Sequence, residues 1–149
     1  MTAQPLLSLK GRALRLLGAR EYSRAELERK LRAFEEEPGS LAAALDALQA
    51  KGYINEQRVL ESVLHRRSAK LGATRIRQEL QGKGLAPEAV TAAIEQLRAT
   101  EVERAREVWR KKFGEPPTDA AERAKHMRFL VSRGFGGDTI RSVVSGGDD

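Results

Sequence analysis

Sliding the chain against itself by 49 residues superposes its apolar positions. Tyr22, Leu27, Leu31, Leu41 and Leu45 fall on Leu71, Ile76, Leu80, Val90 and Ile94. A further shift of 50 brings these to Ala121, His126, Leu130, Ile140 and Val144, with Ala121 and His126 the weak matches. The register holds without a gap through helix, loop and helix, which is the signature of a tandem repeat. Three units of three helices follow. The expected divisions are a tail at 1–11, repeats at 12–54, 55–99 and 100–145, and a disordered tail at 146–149. A unit this small builds a poor core of its own. Neighbours are expected to share apolar surface, giving an all-α fold drawn out as an elongated, curved array.

Local signals agree. Ala, Leu, Arg and Glu dominate, aromatics are only 5%, and β-branched runs are scarce, so a sheet is not expected. In EYSRAELERKLRAF, Ser23 and Glu26 form a capping box and Tyr22 staples Leu27. Leu27, Leu31 and Phe34 define the buried face, and Gly39 and Ser40 cap the next helix. That helix buries Leu41, Ala44, Leu45 and Leu48 and ends at Gly52. Ile54 and Asn55 open another, with Val59, Leu60, Val63 and Leu64 inward. Ile76 and Leu80 mark the next, and Pro87 starts a helix burying Val90, Ala93, Ile94 and Leu97. Thr100 with Glu103 reads as a second capping box, ahead of Val102, Ala105, Val108, Trp109 and Phe113. Asp119 with Glu122 caps the helix of Met127, Phe129, Leu130 and Val131, and Ile140, Val143 and Val144 mark the last.

The glycine-rich stretch RGFGGDTI, residues 133–140, aligns with Lys83-Gly84-Leu85 under the same shift. It is therefore a hinge between the second and third helix of a unit, with Phe135 plugging the corner. No strand precedes it and no GK[ST] follows, which argues against a phosphate-cradling loop.

The net charge is +6 and the pI about 10.0, the balance of a chain that meets polyanions. The excess is uneven. From Arg66 to Lys83 six Lys or Arg face Glu79 alone. With no cysteine, disulfides and thiolate metal sites are excluded and a reducing compartment fits. The N-terminus, cut by Lys10, Arg12 and Arg15, reads as neither signal peptide nor membrane span, so a cytoplasmic, monomeric protein is expected.

YSRAELERKL, ALDALQAKGYINEQRV, LGATRIRQELQGKGLAPEAV and RFLVSRGFGGDTI occur in this order and spacing. Together they resemble the RecX family, bacterial regulators of the RecA recombinase, over residues 11–145. Leu71 stands where members often have an aromatic, and Asn55-Glu56 where acidic residues usually follow the KGY turn. The resemblance implies three tandem three-helix repeats and a non-enzymatic protein. It implies binding to RecA filaments on DNA, along the filament groove, with inhibition of ATP hydrolysis, strand exchange and filament growth.

The residue inventory is consistent with that. His65 and His126 lack a second histidine or cysteine at helical spacing, no nucleophile–base arrangement stands out, and Glu35, Glu36 and Glu37 read as a solvated linker. No cofactor and no metal are expected. Arg66, Arg67, Lys70, Arg75, Arg77 and Lys83 are the expected partner- or DNA-binding residues. Arg24, Arg29 and Arg32 in the first unit and Arg128 and Arg133 in the third are secondary candidates, although Arg133 alternatively closes its own helix. Contacts of this kind give affinity for single- or double-stranded DNA without sequence preference. Trp109 and Phe135 are assigned to the core rather than to base stacking. The rival reading is a free-standing DNA-binding protein. A hydrolytic or metal enzyme is a third, nearly excluded by the same inventory.

Overall fold

The computed structural model describes residues 7–145. The four C-terminal residues expected to be disordered lie outside them. Among the described residues there are nine α-helices and no strand. They are α1 (Leu9–Ala19), α2 (Arg24–Leu31), α3 (Ser40–Ala50), α4 (Glu56–Arg67), α5 (Ala73–Gly82), α6 (Pro87–Arg98), α7 (Glu101–Lys112), α8 (Ala120–Ser132) and α9 (Gly137–Val144). None is long and apolar enough to cross a membrane. The chain divides into two compact units. One takes the described residues up to Ser62 with Lys83–Leu85, and the other takes Val63–Gly82 and the described residues from Ala86 onward.

In the first unit, α1, α2 and α3 enclose Ala13, Tyr22, Leu27, Leu31, Leu41, Leu45, Leu48 and Ile54. Each fully buried leucine contributes about 1.5–3 kcal/mol relative to exposure. The capping box of α2 forms in both directions: Glu26 N–H donates to Ser23 Oγ at 3.1 Å and Ser23 N–H to Glu26 Oε1 at 2.9 Å. Two expectations fail here. Phe34 belongs to a 3-10 turn, Arg32–Phe34, and is 47% exposed, because the α-helical spacing that would have turned it inward stops at Leu31. Ser40 does not cap α3. Glu35, read as solvated linker, does, accepting the Leu41 N–H at 2.7 Å.

In the second unit α5 packs on α6, and α7, α8 and α9 pack on one another around Ala105, Leu130, Phe135, Ile140, Val143 and Val144. Pro87 opens α6 as expected. The Thr100 capping box does not form. The Thr100 hydroxyl instead donates to the Leu97 carbonyl and accepts from Arg104, which holds its side chain away from the helix N–H groups. Val131, expected inward, is exposed.

His126 takes the core position that Leu27 and Ile76 hold in the other repeats. It stacks on Phe113 with ring centroids 3.8 Å apart, and its Nδ1 accepts from Trp109 Nε1–H at 3.1 Å. Burial pulls its pKa below the ordinary value. Glu122 opposes that shift and Lys125 assists it. The folded chain thus prefers the neutral ring. The stabilisation is complete above the unfolded histidine's pKa and is lost as pH falls through that value toward the folded one. Melting temperature should therefore drop as pH falls below about 6.5, the ordinary histidine value. Trp109, the only tryptophan, reports the loss by its emission. His126→Gln, which keeps an acceptor but does not titrate, should flatten the profile. An unchanged profile would assign the effect to another group.

Candidate functional site

α4 ends on Arg67, and the chain turns through Ser68–Gly72 into α5. This turn, the first turns of α5 and the end of α8 enclose a cleft of about 470 Å³. Arg67, Lys70, Leu71, Arg75, Gln78, Glu79 and Arg133 line it, four cations against one carboxylate. Glu79 meets Arg67 Nε at 3.0 Å and Arg66 Nη2 at 3.6 Å. Such exposed pairs are worth at most about 1 kcal/mol, so they yield readily to a stronger anion. Lys70 is exposed and makes no ion pair among the described residues. Arg75 donates from Nη1 to the Ser132 carbonyl at 2.7 Å, one of the acceptors left open at the end of α8. The Arg133 guanidinium stands 5.0 Å from the Phe129 ring centre.

The other expected residues are placed differently. Arg77 is half-buried and does not line the cleft. Lys83 is tucked into the first unit, its Nζ 3.1 Å from Glu26 Oε2, which Arg20 also meets at 3.0 Å. Burial pushes the Glu26 carboxyl upward. The Ser23 N–H, Arg20 and Lys83 outweigh it and hold the pKa at about 2. Lys83 thus acts as a structural counter-charge. Arg24 is spent on Asp46 at 2.6 Å and Glu28 at 3.1 Å. Arg29, Arg32 and Arg128 are exposed but do not join the cleft.

One wall of the cleft is a seam of backbone. Gly72 N–H donates to the Arg133 carbonyl at 2.7 Å, and Thr74 N–H to the Gly134 carbonyl at 3.2 Å. Gly134 has φ +89°, the left-handed region, and lies directly on Arg75. The glycine hinge thus does more than end a helix: it seats α8 against the start of α5. Glu101 closes the same seam from below. It is 8% exposed and accepts from Ala73 N–H and Thr139 Oγ–H, both at 2.9 Å. Arg104 donates to the carbonyls of Ser68, Leu71 and Leu97, fixing the turn that carries Lys70. Burial lowers its pKa, and Glu101 offsets part of that. The sequence reading missed Glu101 and Arg104 as supports of the cleft. A signal existed for the first: the capping Ser23 falls on Gly72 under the 49-residue shift, and a glycine has no side chain to cap with.

Fold and cleft together define a helical-repeat protein with a cationic surface held by a rigid seam. Comparison with known proteins is consistent with that class. Residues 55–94 match the family description "RecX, second three-helix domain" and residues 99–144 match "RecX, third three-helix domain". The chain is 54% identical to "Regulatory protein RecX" of Leptothrix cholodnii, covering 95% of this chain and 90% of the relative. It is 45% identical to the protein of the same name from Ralstonia nicotianae, covering 97% and 91%. In structure it is similar to the crystal structure of RecX from Lactobacillus salivarius, with a TM-score of 0.76 over 94% of each chain at 20% identity. The chain belongs to the RecX family. The name its relatives carry is regulatory and specifies no reaction.

Proposed function

We propose that this protein regulates the RecA recombinase, mainly as an inhibitor. In this reading it acts in the cytoplasm as a monomer, binds the groove of the RecA–DNA filament, and blocks ATP hydrolysis, strand exchange and filament extension. Family membership names the class of partner. The observation that supports the binding mode is the cleft, which Arg67, Lys70, Arg75 and Arg133 line together with a single carboxylate, Glu79. Phosphates of single- or double-stranded DNA suit such a surface, since contacts to the backbone give affinity without sequence information. Arg104 and the glycine seam fix the backbone that carries these cations, so binding need order only their side chains.

The test follows RecA ATPase activity on single-stranded DNA as the protein is added. Inhibition at far less than one copy per recombinase supports blocking within the filament. Inhibition only when the DNA is saturated supports the rival, a DNA-binding protein that merely competes. Arg67→Glu with Lys70→Glu is the informative variant, since both residues are exposed and neither closes the seam. Half-inhibition should require at least about tenfold more protein. If both residues touch phosphates, the log–log salt slope of DNA binding should fall by about two. Unchanged inhibition would remove the cleft from the mechanism.

A further inference from the structure

The first unit carries a second cationic surface of a different kind. α1 places Arg12, Arg15 and Leu16 on one stripe, at spacings of three and four residues. α2 ends on Lys30 and Leu31, and the 3-10 turn brings Phe34 alongside. With Leu7 these residues line a recess of about 260 Å³. Its floor is Leu31, buried, and Leu16, half-buried, while Leu7 and Phe34 stand 39% and 47% exposed. The Arg12 guanidinium lies 3.8 Å from the Phe34 ring centre, which fixes it at the rim.

The charge pattern is one-sided. Arg20, Arg24 and Arg58 of the same unit are all ion-paired, to Glu26, to Glu28 and Asp46, and to Glu21. Arg12, Arg15 and Lys30 make no ion pair among the described residues, and no carboxylate lines the recess. Three uncompensated cations around an apolar hollow match a ligand that is anionic outside and apolar at one point. A phosphate backbone supplies the first property only: the floor of Leu16 and Leu31 is aliphatic, and the one aromatic ring lining the recess, Phe34, already carries the Arg12 guanidinium on its face, where a base would stack. The cleft of the second unit differs in both respects: a carboxylate, Glu79, lines it beside the cations, and Leu71 is its one apolar side chain.

We propose that this recess binds an acidic segment of a protein partner, inserting one large apolar side chain between Leu16, Leu31 and Phe34 while Arg12, Arg15 and Lys30 hold its carboxylates. The inference goes beyond the cleft and stands whether or not the cleft meets a recombinase.

Fluorescence anisotropy tests it. The probe is a fluorescein-labelled synthetic peptide in which Asp and Glu surround a central Leu-Phe pair. Its control has Ser-Ser in place of that pair, and oligothymidylate serves as competitor. The full chain should bind the first peptide about tenfold more tightly than the control. Arg15→Glu with Lys30→Glu, and separately Phe34→Ser, should each weaken that binding about tenfold with helicity and urea midpoint unchanged, since all three residues are exposed. Equal affinity for the two peptides, no binding of either, or indifference to both variants would overturn the proposal. So would displacement by oligothymidylate whose own binding falls with the same substitutions, since that makes the recess a nucleic-acid site.

Discussion

Gly134→Ala should destabilise the second unit by about 2–4 kcal/mol, measured as a fall in the urea midpoint. Two costs combine. At φ +89° an alanine sits in the left-handed region, which costs about 1 kcal/mol. The added Cβ would also stand 2.6 Å from Arg75 Cβ and 2.7 Å from Arg75 N. That neighbour is the backbone of α5 and cannot swing aside, so the seam must open, an overpacking cost of about 1–3 kcal/mol. Two controls separate the costs. Gly52 has φ +84° and nothing within 4 Å of a Cβ, so Gly52→Ala isolates the backbone cost. Gly82 lies in α5 without positive φ and equally in the open, so Gly82→Ala should stabilise by about 0.5–1 kcal/mol. If Gly134→Ala costs no more than Gly52→Ala, the close approach is not there. Gly72→Ala should behave like Gly134→Ala for steric reasons alone, since its Cβ would meet the Gly134 carbonyl carbon and Phe135 N at 2.5 Å.

Glu101→Ala is expected to cost about 2–4 kcal/mol. The carboxylate satisfies a buried backbone N–H at the start of α5 and the buried Thr139 hydroxyl on α9, and it faces the half-buried Arg104. Removing it orphans two donors and leaves a cation with less compensation, where each unsatisfied buried group costs about 1–3 kcal/mol. Glu101→Gln keeps the shape but turns an NH₂ toward one of two donors, so it recovers only part of the loss. Amide hydrogen exchange at Ala73 and Thr74 should accelerate in both variants before the rest of the unit opens. A change below about 0.5 kcal/mol would place Glu101 among ordinary surface residues. Because the seam also forms the cleft wall, both substitutions should weaken anion binding at Arg67 and Lys70 without touching either.

Most helix boundaries were legible because the forces that set them are local. The Ser23–Glu26 box, the Pro87 start and the αL glycine at Gly52 act over three or four residues, so neighbouring letters suffice. The buried stripe, Leu27 to Leu31 or Val90 to Ile94 and Leu97, follows from 3.6-residue periodicity in the same way. The charge cluster at 66–83 was equally plain, but its members part company on folding. Arg67, Lys70 and Arg75 share a cleft, while Lys83 is drawn under Glu26, 57 residues earlier in the chain. Phe34 failed because a switch from α to 3-10 geometry leaves no mark in the apolar spacing. Thr100 failed because Arg104 claims its hydroxyl.

The order of the residues settled the helices, the threefold internal likeness and the excess of positive charge, each of which depends on neighbours within a few turns or on simple counting. Folding alone decided which cations converge, that Glu101 caps a helix 28 residues away, and that Gly72 and Gly134 bring two backbones into contact. Those contacts join segments whose separation carries no periodic signal, and they form only when packed helices exclude water between them and oblige every buried donor to find an acceptor.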